Sequence, residues 1–272
     1  MRPLRLAVIE RFARFPAALA SQTRAHRFGD ATALIAHPDW ESPAPIVLWL
    51  HGRTASKELD PGRYLRWIRA GFAACAVDLP GHGERADSEF QSASRTLGVL
   101  EQARTEIDEV VHALGEPRFN GVFDLDRIGI GGMSAGGMAT LRRLCDPHRF
   151  RCAAVEGTTG NLAGHYAQQH AIRHPSDRIA ENDPMQHLGG WRPIPLLVVH
   201  SEADRVVPFA SQRQFVERLR EHYTRQGSDP SAVEVLTWPE TGAPEEHMGF
   251  GRHANDAKNA QTAFFQRHFA LN

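Results

Sequence analysis

Only two of the 31 basic residues in this 272-residue chain are lysines, Lys57 and Lys258. The others are arginines, spread along the chain among 32 acidic residues, so the formal net charge is -1. A surface that follows nucleic-acid phosphates needs an excess of positive charge, and no such partner is expected here. Cysteine is also scarce. Cys75, Cys145 and Cys152 have no C-x-x-C spacing, which argues against a disulfide framework. Cys75 lies in the apolar run 72–77 and reads as a small buried hydrophobe. No stretch reaches the ~18 apolar residues of a membrane-spanning helix, so no membrane association is expected. Glu10, Arg11 and Arg14 interrupt the first twenty residues, where a secretory leader would need an unbroken apolar core. The expected compartment is a reducing cytoplasm.

What is present is ordinary globular composition, 42% hydrophobic and 23% charged. Short apolar runs recur at 45–50, 72–79, 127–133, 152–156, 195–200 and 233–238. Being apolar throughout, they suit strands buried on both faces of a parallel sheet. Helical patterns at 65–70, 97–114, 135–145, 209–224 and 254–269 separate them. Such alternation predicts an α/β fold with right-handed crossovers. Residues 30–37 read as an antiparallel edge strand and 4–20 as an amphipathic helix. No linker or repeat divides the chain, so a single domain over 1–272 is expected. The irregular stretch 158–193 reads as a small cap inserted over the carboxyl end of the sheet, where ligand-facing connections gather.

The sharpest local motif is Gly132-Met133-Ser134-Ala135-Gly136, between an apolar run and a helical pattern. A serine on a strained strand-to-helix turn presents its Oγ at the top of the sheet, and flanking glycines admit the neighbouring backbone. Serine is a weak nucleophile until an imidazole takes its proton, and a buried carboxylate must orient that imidazole. Downstream, 196–200 runs into a polar turn ending at Asp204, and His247 lies in a loop after 233–238. Ser134, Asp204 and His247 thus follow in the order Ser, acid, His, each at the end of a successive strand.

With these motifs in order, the chain resembles α/β-hydrolases, and among them the dienelactone-hydrolase-like and prolyl-oligopeptidase-like esterases. The resemblance is carried by 51–57 (HGRTASK), 78–84 (DLPGHGE), the Ser134 turn, 202–208 (EADRVVP) and His247. It departs at Ser201, where such enzymes usually carry glycine, and at Ser134, where dienelactone hydrolases proper use cysteine. The resemblance implies an α/β-hydrolase fold, a mostly parallel central sheet flanked by helices, and a serine hydrolase without metal or other cofactor. It also implies an oxyanion hole built from the backbone N–H groups of Arg53 and Ala135. Peptidases of this relationship usually carry a β-propeller for which this length leaves no room. A carboxylesterase acting on a small-molecule ester is therefore expected ahead of a small-amide peptidase or a thioesterase.

Other residues compete for roles. Glu156 ends a strand where some hydrolases place the acid, but Asp204 has the better local motif. His51, Asp78 and His82 read as braces of strand-end turns. His170 and His174 have the spacing of a metal pair, yet neither they nor His165 has a carboxylate at zinc-site spacing, so no metal is expected. Gly129-Ile130-Gly131 with Glu156 at the next strand end mimics a dinucleotide fingerprint. Ser134 occupies its third glycine position, however, and the unit is far from the first βα of the chain. A non-catalytic binder on a hydrolase scaffold is disfavoured by the complete set of triad residue types. In 158–193 the residues His165, Gln168, Gln169, His170, Arg173 and His174 offer no apolar face for a long acyl chain. Since each buried CH₂ contributes about 0.8 kcal/mol, short acyl groups, acetyl to butyryl, are expected. Arg53 is also a candidate for receiving an anionic group of the substrate.

Overall fold

In the computed structural model of the chain, residues 15–169 and 172–271 are described. Eight strands form one sheet: β1 (Thr23–Phe28), β2 (Ala31–Ala36), β3 (Ala44–Leu50), β4 (Ala73–Val77), β5 (Phe123–Met133), β6 (Cys152–Glu156), β7 (Leu196–Ser201) and β8 (Val233–Trp238). Their spatial order is β1-β2-β4-β3-β5-β6-β7-β8. Pairings β1·β2 and β2·β4 are antiparallel, and all the others are parallel. The helices named below are α1 (Ala17–Ala20), α2 (Pro61–Arg69), α3 (Thr96–Leu114), α4 (Ala135–Arg143), α5 (Leu162–Ala167), α6 (Ser176–Asn182), α7 (Pro184–His187), α8 (Phe209–Arg225) and α9 (Ala254–Phe269).

Alternation along each central strand feeds two apolar layers. From β3, Ile46, Leu48 and Leu50 face a core shared with α3, α4 and α8, while Val47 and Trp49 face Trp67 of α2 and Phe264 and Phe265 of α9. Burial on both faces explains why these strands read as continuous apolar runs. Two differences from the sequence reading have physical causes. Strand β1 shows no apolar run because Arg24, His26 and Arg27 lie on the sheet's rim, and it leaves β2 as an inner strand instead of an edge. Strand β5 starts early, at Phe123, because a register irregularity at Pro45/Ile46 admits the polar residues Asp124, Asp126 and Arg127 before the buried part begins. Of the expected helix over 4–20, α1 is present, and residues 4–14 fall outside the described part. The stretch 158–193 carries the short helices α5, α6 and α7, with Leu162 and Tyr166 set into the first core layer. Among the described residues no helix is long and apolar enough to cross a membrane.

One buried ion pair ties the second layer to the top of the sheet. Arg63 in α2 meets Glu156 at the end of β6 through two parallel hydrogen bonds, 3.0 and 2.9 Å, and its guanidinium lies 4.1 Å from the Trp49 ring centre. Gln261 of α9 donates to the same carboxylate at 2.6 Å and accepts from Arg63. Burial raises the Glu156 carboxyl above its ordinary value, and Arg63 offsets this only in part. Arg63→Met strands that carboxylate, for which a loss of about 3–5 kcal/mol of stability is expected. A raised carboxyl is best tolerated when protonated, so the deficit relative to wild type grows as pH rises. Urea unfolding at mildly acidic and mildly alkaline pH reads both effects, and a deficit that shrinks with pH contradicts them.

Candidate active site

Ser134 occupies the turn between β5 and α4 with φ 51° and ψ -119°, a conformation that L-residues avoid unless neighbours hold them in it. The holding groups are specific. The Ser134 N–H donates to the Glu156 carbonyl at 2.9 Å, and its own carbonyl accepts from the Met138 N–H at 2.9 Å and the Thr158 hydroxyl at 2.7 Å. The flanking glycines are sterically required. A Cβ on Gly132 would sit 2.5 Å from the Gly136 backbone, and one on Gly136 would sit 2.4 Å from the carbonyl oxygens of Leu50 and His51.

Asp204 ends the turn after β7 with its side chain buried. One oxygen accepts the N–H groups of Val206 and Val207, both at 2.8 Å. The other lies 2.8 Å from His247 Nδ1 and 3.4 Å from His200 Nε2. Burial works to raise its pKa, but the hydrogen bonds from His200 and His247 outweigh burial and leave it below the usual carboxylate range. Because Oδ2 is an acceptor, Nδ1 of His247 carries the proton, and its bare Nε2 faces the Ser134 Oγ at 3.0 Å. The sequence-derived trio is therefore brought together in one hydrogen-bonded line.

The loop after β3 lies against this line. Gly52 lies beside it, where a Cβ would make an ordinary van der Waals contact with the Ser134 Cβ at 3.4 Å. His51 fixes the loop: its Nε2 accepts the Leu79 N–H at 3.0 Å, so Nδ1 holds the proton donated to the Gly52 carbonyl at 2.7 Å. A trans peptide points its carbonyl and N–H in opposite directions, so anchoring the Gly52 carbonyl also orients the Arg53 N–H. The Ala135 N–H belongs to the first turn of α4, whose donors have no partner within the helix. Beneath the loop, the fully buried Asp78 accepts from the Lys57 N–H at 2.9 Å, the Thr32 hydroxyl at 2.7 Å and the Glu84 N–H at 3.1 Å, and pairs with the Lys57 ammonium. Burial opposes its ionisation, but the charge and hydrogen bonds of Lys57 prevail and hold it far below the ordinary carboxylate value. The imidazole of His82 bonds the Pro80 carbonyl at 2.8 Å within the same turn.

Glu156 faces Arg63 and Gln261 instead of His247, so the structure does not bring it to the imidazole. His165 is buried with its pKa pushed down to about 4, chiefly by burial. His174 packs edge-on against Tyr166 at 4.6 Å, and His170 lies outside the described residues. Among the described residues no group of three or more His, Cys, Asp or Glu could hold a metal ion.

A cavity of about 590 Å³ opens over Ser134 and His247. Its walls include Trp49, Tyr64, Met133, Met138, Val207 and Phe250, to none of which the sequence reading gave a substrate-facing role. Arg53 also lines it, with Nη1 donating to the Gln91 carbonyl at 2.9 Å.

Similarity to known proteins agrees with this architecture. The esterase YjfP of Escherichia coli K12 is 27% identical over 218 residues, 74% of this chain and 85% of that protein. The crystal structure of TT1662 from Thermus thermophilus has a TM-score of 0.67 at 22% identity, covering 92% of this chain and 99% of that one. A puromycin-hydrolyzing peptidase from Mycobacterium tuberculosis has a TM-score of 0.72 at 19% identity, covering 94% of this chain but 41% of that one. At these identities the two solved structures speak for the α/β-hydrolase fold alone. Residues 63–272, which hold the Ser134 turn, the Asp204 turn and the His247 loop, match the model of the prolyl oligopeptidase family, and the chain belongs to that family of serine hydrolases.

Proposed function

We propose that the protein hydrolyses carboxylic esters of small molecules through an acyl-enzyme, with Ser134 as nucleophile, His247 as base and Asp204 as its orienting acid. The observation that carries this reading is the unbroken line from Ser134 Oγ through His247 to Asp204, at 3.0 and 2.8 Å. Nε2 of His247 takes the hydroxyl proton as Oγ attacks the ester carbonyl. The resulting oxyanion is met by the N–H groups of Arg53 and Ala135, donors that strengthen as charge develops. Collapse expels the alcohol, which receives the proton from the imidazolium. Water then repeats the sequence on the acyl-enzyme, releasing the acid and restoring Ser134.

Substrate preference follows from the space and charge around Ser134. The cavity of about 590 Å³ receives both the acyl and the alcohol portions, and the polar His165 and Gln169 that 158–193 contributes to its lining favour acetyl to butyryl groups over long chains. Among the described residues the hydrogen-bond partner of the Arg53 guanidinium is a main-chain carbonyl and not a carboxylate, which leaves its charge for an anionic substituent of the substrate.

Ser134→Ala is expected to lower kcat on p-nitrophenyl acetate by on the order of 10⁴-fold or more, with His247→Ala similar and the double variant little worse. Asp204→Asn lowers kcat strongly, whereas Glu156→Gln does not. Residual turnover of a tenth in Ser134→Ala overturns the nucleophile. The reverse ranking of the two acid variants transfers the acid role to Glu156.

A second measurement addresses specificity. Across a p-nitrophenyl series, kcat/KM is expected to peak at short acyl groups. Arg53→Ala is expected to impair anionic esters more than neutral ones. Activity that climbs to octanoyl and beyond contradicts the size limit, and an equal effect on both ester types contradicts the anion site.

A further inference from the structure

Ser201, one of the two residues at which the chain departs from the pattern it resembles, closes β7 in full burial, and its hydroxyl donates to the Glu246 carboxylate at 2.7 Å. Glu246 immediately precedes His247. We propose that Ser201 and Glu246 form a clamp that positions His247 for catalysis, a role that rests on the hydrolase assignment above.

The geometry gives each atom of the clamp a task. Glu246 Oε2 accepts the Thr241 N–H and hydroxyl, both at 2.7 Å, besides the Ser201 hydroxyl, and Oε1 accepts the Gly242 N–H at 2.7 Å. Three of these four donors belong to Thr241 and Gly242, and they close residues 241–246 into a tight turn. Two consecutive non-glycine residues of that turn, Glu245 and Glu246, have φ 53°, a conformation that persists only where surrounding bonds over-determine it. His247 leaves the turn with its own N–H on the Pro244 carbonyl at 3.1 Å. The direction of its imidazole is therefore inherited from the turn.

Ser201 works on both sides of the site. Its carbonyl accepts the Asp204 N–H at 3.2 Å, which shapes the acid's turn, while its hydroxyl holds the base's turn. A second strut, from the Arg205 N–H to the Glu245 carbonyl at 3.1 Å, runs alongside. The acid and base loops are thus joined by two bonds besides the one between Asp204 and His247. A glycine at 201 would keep the carbonyl bond and lose the hydroxyl one. Hydrogen bonds, that of the Thr241 hydroxyl first, hold the Glu246 pKa down to about 2, so the carboxylate keeps its charge wherever a neutral imidazole is available.

The test uses Ser201→Ala, Glu246→Gln and the double variant of the full chain, with kcat, KM and the rate at which a fluorophosphonate labels Ser134. Each single change is expected to lower kcat and labelling rate together, by roughly 10- to 100-fold, with KM held, because misplacing a reacting group costs turnover before it costs binding. The double variant should be little worse than Glu246→Gln alone, since that change already weakens the bond Ser201 makes. Unchanged kcat and labelling in both single variants overturns the clamp, whatever happens to their melting temperatures, and so do fully additive losses. Wild-type protein that does not label at Ser134 overturns the hydrolase assignment, and the clamp's catalytic role falls with it. Labelling of the wild type with unaffected variants overturns the clamp alone.

Discussion

Strands covered on both faces leave a polar side chain only one place to go, the strand end. The strands β3, β5, β6 and β7 are sandwiched between two apolar layers, and the residues of chemical interest sit at or just past their carboxyl ends. His51, Ser134, Glu156 and Asp204 are where they are because parallel strands deliver all their carboxyl ends to one edge. His247 arrives from beyond β8 by the same logic. The site is thus a consequence of how the sheet is buried.

Charge at that edge is then sorted into pairs. Asp78 with Lys57 fixes the loop after β3, Arg63 with Glu156 joins α2 to the end of β6, and Glu246 shapes the turn before His247. In each case a carboxylate collects donors from segments far apart in sequence, which leaves few alternative arrangements for the loops it joins. Such pairs contribute little net stability when buried, since desolvation offsets much of their attraction. Their effect is geometric: they tie together the loop after β3, the end of β6 and the turn before His247, the three segments that surround Ser134.

The parts of this arrangement that could be read from the sequence are those with a local signature. Cys152–Glu156 coincides with its apolar run because every residue of it is buried, and Ala254–Phe269 coincides with its helical pattern because Ala257, Gln261, Phe264, Phe265 and Phe269 form one buried face. The Ser134 turn was visible through Gly132 and Gly136, which backbone contact requires. The pairing of Asp204 with His247 could be ordered along the chain but not measured, since it spans 43 residues. The bond between Ser201 and Glu246 spans 45 residues and joins residue types that are ordinary on any surface, so it had no signature. Trp49, Tyr64 and Phe250 line the cavity yet sit in patterns indistinguishable from those of the core around them.

Strand β1 has a bearing on how the molecule behaves in a crowded solution. An open sheet presents unpaired N–H and C=O groups along its border, and a flat apolar border invites a second copy to continue the ladder. Here the outermost strand interposes Arg24, His26 and Arg27 between its two buried ends, Thr23 and Phe28. The Arg24 guanidinium lies 3.9 Å from the Trp40 ring centre. A neighbouring strand that tried to dock would meet like charges and well-hydrated side chains along the border. The apolar strand β2 inside it is kept from intermolecular pairing by a segment that carries none of the chemistry, so one of the sheet's two borders offers a poor template for a second copy.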